Sequence, residues 1–438
     1  MISAKNSAGS RRIANAVGIS SLFPAAILVC GTATLIRIRA FFVLHPLRTA
    51  RILFSGGKSS GVGSWAALSV SLAGVLGVGN IAGVCVAMAL GGPGAIFWMW
   101  VSALLSMPLK YAEVYLGVVS GSKAPQTDGS PMLYIAGLPH GRAAAALYAA
   151  VCILSAFTLG NITQTGAVAE ALFNAFGAPR LAVGIAVALF SAVVITGRFE
   201  KLAKLTSAIV PFMSAAYMIL CAAVIISGAD RLPGAFVSII KYAFTAGCAS
   251  AGAVGHGVAS AVRQGTLKGC FSHEAGSGTA VFAHTRSGAS PEKQACFGIF
   301  EVFFDTTVIC SLTAFAVLAS GIDFSSFGYS GTECVLSAFE GALGARAGIA
   351  VSLCISLFAF ATVLCWSSYG LTALRYFTHS RAAARVYLAV YCAAAVAGSV
   401  LRAKAVWMLT DASILSLTLI NLTALMKRRR EIFPPDLS

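Results

Sequence analysis

Apolar segments about as long as a lipid bilayer is thick recur from residue 20 to 426, and no polar stretch between them is long enough to form a separate domain. At 1.5 Å per residue, roughly 20 helical residues cross a hydrocarbon core of ~30 Å. Ten segments are read as such crossings: 20–36, 65–90, 93–119, 143–169, 180–196, 203–227, 294–319, 345–371, 383–400 and 405–426. The stretch 228–293 is apolar but broken by Gly, Ser, His and charges. It predicts a re-entrant or surface segment at 233–256, then one interrupted helix, 257–270 and 277–287. The expectation is an all-α membrane protein of about 11 transmembrane helices in a single membrane domain.

Composition excludes the water-soluble classes. Of 438 residues, 58% are hydrophobic and only 11% charged, against about 25% charged in soluble domains. The 44 glycines besides suit the close packing and irregular backbone of membrane helices. The net charge of +16 does not point to nucleic acid, because the basic residues gather between apolar runs and the aromatic residues lie within them. The twelve cysteines are scattered, with no CxxC pair and no zinc spacing, and read as small packing residues. Lys5, Arg11 and Arg12 precede the first apolar run like a signal peptide, but Arg37, Arg39, Arg48 and Arg51 after it form a stop-transfer flank.

Those basic residues also set an expected orientation. Placing the region after the first helix in the cytoplasm puts most Lys and Arg inside, including Lys58, Lys110, Lys123, Arg142, Arg198, Lys201, Lys204, Arg286, Lys293, Arg375, Arg381, Arg385 and the run 427–430. The opposite 319–344 loop carries Asp323, Glu333 and Glu340 and no basic residue. The N-terminus is then outside and the C-terminus cytoplasmic. The chain divides into a first helix and loop (20–60), five helices (65–227), a connecting segment (228–256), five helices (257–426) and a tail (427–438).

Two helices read as broken. In Leu76-Gly77-Val78-Gly79-Asn80, two glycines in three residues weaken a mid-span helix by about 1 kcal/mol each. Freed carbonyls there can hold a cation and the half-helix N-terminus a carboxylate; the alternative is that the glycines only allow close packing. The second break, 271–279, places Ser272, His273 and Glu274 before Ala275 and Gly276, or else is a loop. A short echo, small–polar–x–Ala–Gly, links the two and fits an inverted repeat. Glu301 and Asp305 lie four apart, a spacing for a cation site, a proton relay or structural capping. Asn161 and Gln164 share one face, as do Thr362 and Trp366, each pair either lining a pocket or packing. Glu113 beside Lys110 reads as an interfacial ion pair, and His256 and His284 receive no role.

At these residues the sequence resembles the sodium:alanine symporter family. The run Gly91-Gly92-Pro93-Gly94-Ala95-Ile96-Phe97-Trp98-Met99-Trp100, with Lys110 and Glu113 after it, is similar to the family's GGPGAxFWMW motif. Further similar stretches are 79–83, 271–276, 300–306 and 358–370. The resemblance implies a leucine-transporter-like fold of 5+5 inverted repeats plus one N-terminal helix, importing alanine or glycine with sodium. It implies a substrate pocket of Gly77, Gly79, Asn80, Gln164, Phe271, Ser272, Thr362 and Trp366. Candidates for cation binding or coupling are Leu76, Val78, Thr362, His273, Glu274, Glu301 and Asp305. No resident metal or cofactor is implied, and the partners are the bilayer of a cell membrane, a small amino acid and sodium.

Departures from the family pattern bear on coupling. Val78 and Ala361 each stand where the family has a hydroxyl, Ser106 replaces a glycine, and His273 replaces an asparagine. A hard cation needs oxygen ligands, so a proton through His273, or an altered substrate, is the alternative. Other classes are a channel, a non-transporting sensor or an intramembrane hydrolase, the last lacking a nucleophile and a metal-ligand cluster.

Overall fold

Helix formation here follows from the apolar runs, and the helix ends from local chemistry. In the computed structural model, which describes residues 23–55, 61–123, 129–195, 199–245 and 257–435, nearly every ordered element is helical. The N-terminal basic residues, Lys58, Arg198 and His256 lie outside the described residues. The principal helices are α1 (Phe23–Arg37), α2 (Ser64–Val75), α3 (Gly79–Gly91), α4 (Gly94–Ser122), α5 (Gly141–Phe176), α6 (Arg180–Ile195) and α7 (Phe199–Ser227). They continue as α8 (Leu232–Phe244), α9 (Val258–His273), α10 (Val281–His284), α11 (Pro291–Ser320), α12 (Gly331–Leu343), α13 (Ala345–Arg375), α14 (Arg381–Gly398) and α15 (Ala403–Lys427). Glycines in the left-handed region follow α5 and α11, at Gly177 and Gly321. Ser290 caps α11, its hydroxyl accepting from the Lys293 N–H, with Pro291 at the first helical position.

Six of the described helices are long and apolar enough to cross a membrane, and α2 with α3, bent by 54°, makes a seventh. The other expected crossings fall on helices that are shorter or less apolar: α1, α6, α14 and the α9/α10 pair. The segment read as re-entrant or surface contains α8, which buries Ala235, Ile239 and Ala243 against α4 and α11 and exposes Phe236, Val237 and Phe244. At 13 residues it reaches only about 20 Å, so it is an amphipathic helix on the bundle surface. The remainder of that segment, 246–256, lies outside the described residues.

Packing separates an inner from an outer set. α4 is flanked by α9 and α11, and α13 packs on α2, α5 and α7. On α6, α7 and α14, Leu189, Phe190, Phe212, Ile219, Val386 and Val390 are exposed. Such outward apolar faces suit hydrocarbon, while polar side chains are drawn to the inner helices.

Among the described residues, three stretches widen from α to π geometry: Gly79–Gly83, Thr158–Ile162 and Phe303–Cys310. A π turn bonds i to i+5 and shifts the helical register. It therefore separates residues that α spacing would keep on one face.

Candidate functional site

The first break is as the sequence suggests. α2 ends at Val75, and Leu76 turns out of helical geometry with ψ 77°. The Gly77 N–H then donates to Val75 O at 2.8 Å and to Asn80 Oδ1 at 3.2 Å. In a continuous helix it would serve Ala73 O. The carbonyls of Ala73 and Leu76 instead converge with Phe358 O on the Thr362 hydroxyl, at 3.0, 3.4 and 3.1 Å. One hydroxyl proton faces three acceptors, so the group is rich in oxygen and short of positive charge.

Glycine at position 77 is required by space. A Cβ there would lie 2.7 Å from both Gln164 Oε1 and Thr362 Oγ1. Gln164 accepts the Val78 N–H at 3.0 Å and donates to Leu159 O at 3.1 Å, the latter inside the π turn of α5. Asn161, on the same helix, is engaged elsewhere, donating to Tyr391 O at 2.6 Å. The pair thus divides between the break and helix–helix attachment. The Val78 carbonyl accepts from Ile81 and Gly83 and does not join the oxygen group.

Asp305 ties the two broken helices together. Its Oδ1 accepts from Asn80 Nδ2 at 2.6 Å, and its Oδ2 accepts from the hydroxyls of Ser272 and Thr306, each at 2.7 Å. Phe271 packs on Gly79, where an added Cβ would sit 2.9 Å from its ring. Trp407 stacks edge-on against Phe271 with centroids 5.2 Å apart. The Lys268 ammonium lies 4.5 Å above the Trp407 ring and pairs with Asp411 at 2.6 Å. A cavity of about 360 Å³ ends against Trp407 and Val78, with Glu170 and Arg402 in its walls.

The second break differs in position and filling. α9 continues through His273, so Phe271 and Ser272 are helical, and the turn occupies 274–280 before the four-residue α10. Glu274 takes a left-handed conformation at φ 50°, as do Gly276 and Gly278 at 85° and 88°. The freed N–H groups of Gly276 and Gly278 donate to Glu113 Oε2 at 3.0 and 2.9 Å, and Asn421 Nδ2 joins them at 3.2 Å. Glu274 accepts from Trp366 Nε1 at 3.1 Å and from Thr279 Oγ1 at 2.6 Å. His273 Nδ1 accepts the Ala275 N–H.

Several expectations are corrected. The Lys110–Glu113 pair is not interfacial, since both residues are fully buried. Lys110 lies nearer Glu301, at 2.9 Å, than Glu113, at 3.7 Å. Glu301 and Asp305 do not form one site, because the π segment beginning at Phe303 turns Asp305 to the first break while Glu301 faces Lys110 and His284. His284, given no role, contacts Glu301 Oε2 at 3.0 Å. Among the candidates, the structure brings Leu76, Gly77, Gln164 and Thr362 together, and Gly79, Asn80, Phe271, Ser272 and Asp305 beside them. His273, Glu274, Glu301 and Trp366 belong to the second network. Trp407, Asn421 and Glu113 were missed, and only the Lys-x-x-Glu motif signalled the last.

Comparison with known proteins decides the family. Residues 9–433 match the model of the sodium:alanine symporter family. The chain belongs to that family. It is 32% identical to the sodium/alanine symporter AgcS of Methanococcus maripaludis, covering 91% of this chain and 90% of that one. It is also 32% identical to the probable sodium/glutamine symporter GlnT of Bacillus subtilis, covering 96% and 88%. The fold is similar to that of MhsT in complex with L-phenylalanine, at TM-score 0.56 and 14% identity over 85% and 99% of the two chains. It is likewise similar to a manganese transporter of Eremococcus coleocola, at TM-score 0.58 and 12% identity over 82% and 76%. As a member of a sodium-coupled amino acid symporter family, this multi-pass membrane protein is a transporter and not an enzyme.

Proposed function

We propose that the protein imports alanine or glycine with sodium by alternating access, on a leucine-transporter-like 5+5 scaffold (65–227 and 257–426) of about 11 crossings with one extra N-terminal helix. The observation that carries this reading is the oxygen group at the first break. The Ala73 and Leu76 carbonyls, released by the break, meet Thr362 Oγ1 beside Phe358 O of the facing helix, and the two released carbonyls have only that hydroxyl proton to share. Oxygen ligands in that number suit a hard monovalent cation. Sodium is cargo here, and the loss of a hydroxyl at Ala361 leaves three carbonyls and one side chain to hold it.

The amino acid would lie next to this cation. Gly79 and Asn80 begin a resumed helix, and N–H groups at a helix start favour an anionic carboxylate. Gln164 and Ser272 supply polar contacts to the zwitterion, and Asp305, fixed between the breaks, suits its ammonium or a coupled cation. Phe271 packs directly on Gly79, a crowding that supports alanine or glycine over glutamine although relatives named for alanine and for glutamine are equally similar. The face bearing 319–344 is taken as external and the C-terminus as cytoplasmic, in a cell membrane.

Uptake of labelled alanine, glycine and glutamine into proteoliposomes tests the reading. Accumulation of alanine or glycine against a gradient, abolished when choline replaces sodium, is the expected result. Sodium-independent uptake would overturn the coupling, and binding without uptake would make the protein a sensor.

A further inference from the structure

Around the second break, Glu113, Glu274 and Glu301 stand with Lys110, His273 and His284, all withdrawn from solvent. Three carboxylates against one ammonium leave the ionised cluster negative, and an unbalanced buried charge is strongly unfavourable. A proton can supply the missing positive charge. Lys110 lies 2.9 Å from Glu301 Oε1 and 3.7 Å from Glu113 Oε1, Glu301 Oε2 faces His284, and Glu113 Oε2 accepts from Gly276, Gly278 and Asn421. Trp366 and Thr279 occupy the two oxygens of Glu274. A proton needs only a lone pair.

The two imidazoles are not equivalent as proton acceptors. His273 already commits its Nδ1 lone pair to the Ala275 N–H. His284 has Nε2 at 3.0 Å from Glu301 Oε2 and Nδ1 at 2.5 Å from the Gln294 amide nitrogen. The Gln294 Oε1 has no partner among the described residues. A half-turn of that amide replaces a donor with an acceptor. The same two neighbours then hold either the neutral ring or the imidazolium.

We propose that His284 is a proton-binding site whose occupation clasps α10 to α11 and slows transport. The proton comes from water, leaves its oxygen donor and adds to the Nδ1 lone pair. Gln294 turns its carbonyl to accept it, and the Nε2–H bond to Glu301 becomes charge-assisted on both sides. Thr285 and Arg286, the next residues in the chain, line a cavity at that end of the bundle with Glu200 and Lys204. The cavity thus reaches the residue that follows His284 in the chain.

The surrounding charges come from every packed element. α2 offers no titratable side chain, α4 offers Lys110, Tyr111, Glu113 and Tyr115, and the α9 end offers His273 and Glu274. Arg286 follows on the same segment, α11 carries Glu292, Lys293, Glu301 and Asp305, and α13 brings Tyr369, which stacks on Phe282. The effect on rate rests on the alternating-access reading, whereas the proton site itself does not.

Two measurements on the full protein test this. The first is sodium-driven alanine uptake into proteoliposomes at saturating sodium, with equal pH on both sides and pH varied. The second is a pH titration of histidine-labelled protein by NMR. Uptake by the wild type is expected to rise with pH, by at most about tenfold per pH unit for one proton. His284→Gln should flatten that rise and remove one titrating imidazole. If H284Q does not fold, Gln294→Met, which removes the acceptor for the imidazolium, should move both midpoints to lower pH. Superimposable profiles for wild type and variants, or no titrating resonance assigned to His284, would overturn the proposal. If the wild type carries no alanine, the NMR difference alone decides the proton site, and the proposed function is what has failed.

Discussion

The two breaks solve the same problem in opposite ways. At 274–280 the interrupted backbone is satisfied by the protein itself, with the Glu113 carboxylate filling the nest of Gly276 and Gly278 amides. At 76–80 it is left partly open, with the Ala73 and Leu76 carbonyls turned toward a single hydroxyl. Unpaired backbone inside a membrane is tolerated where it is paired with protein or lines a cavity. A break filled by a resident side chain is therefore architecture, and a break left open is a place for cargo.

The largest effect is expected from emptying the filled break. Glu113→Ala would leave two buried amides and one side of Lys110 without their partner, and removing one member of a buried ion pair costs about 3–5 kcal/mol. Thermal unfolding in detergent should show a marked loss of stability, with uptake lost as well. Glu113→Gln keeps an acceptor for the amides and should recover most of the stability. If E113A is as stable as wild type, the second break does not depend on that carboxylate and the contrast fails.

Crowding the open break should act on transport instead. Gly77→Ala sets a methyl 2.7 Å from Gln164 and Thr362. Overpacking of that kind costs about 1–3 kcal/mol, which if borne by the transport step is roughly fivefold to 150-fold in uptake. Uptake at wild-type rate would remove 76–80 from the cargo site. Thr362→Val retains shape but deletes one oxygen beside the three carbonyls. A hydrogen-bonding group facing a charge contributes about 1.5–3 kcal/mol, so the sodium concentration for half-maximal uptake should rise at least about tenfold. Thr362→Ser should restore it, and an unchanged sodium dependence in T362V would place the cation elsewhere.

How much of this was legible in the sequence depended on range. The Gly-x-Gly at 77–79 and an interruption within 271–279 are local signals, since backbone propensity alone weakens a helix there, although the structure moves the second turn to 274–280. Glu301 and Asp305 illustrate the limit, because their four-residue spacing implies a shared face only in an α-helix, and the π segment from Phe303 separates them. Glu113 was visible as a motif residue but not as a cap, because its partners lie some 160 positions away. Trp407 carried no local signal at all. Its place above Phe271 is fixed by the packing of α15 beside α9 and by the Lys268–Asp411 pair.

That ring offers the finest test of the comparison, because it lies where the cavity meets the open break. Trp407 closes the cavity that ends at Val78 and backs Phe271 against Gly79. Trp407→Ala would leave Phe271 free to retreat, and the pocket would accept a longer side chain. Size discrimination in an apolar pocket is worth about 1–3 kcal/mol per methylene, and only part of it runs through a residue one layer back. The preference for alanine over glutamine should therefore fall by about tenfold, seen as a change in the ratio of the two uptake efficiencies measured side by side. Sodium dependence should stay as in the wild type, since the carbonyl group lies on the other flank of Gly77. An unchanged ratio would leave Phe271 and Gly79 to set the size limit unaided. A changed sodium requirement would instead mean that gate and cation site move as one body.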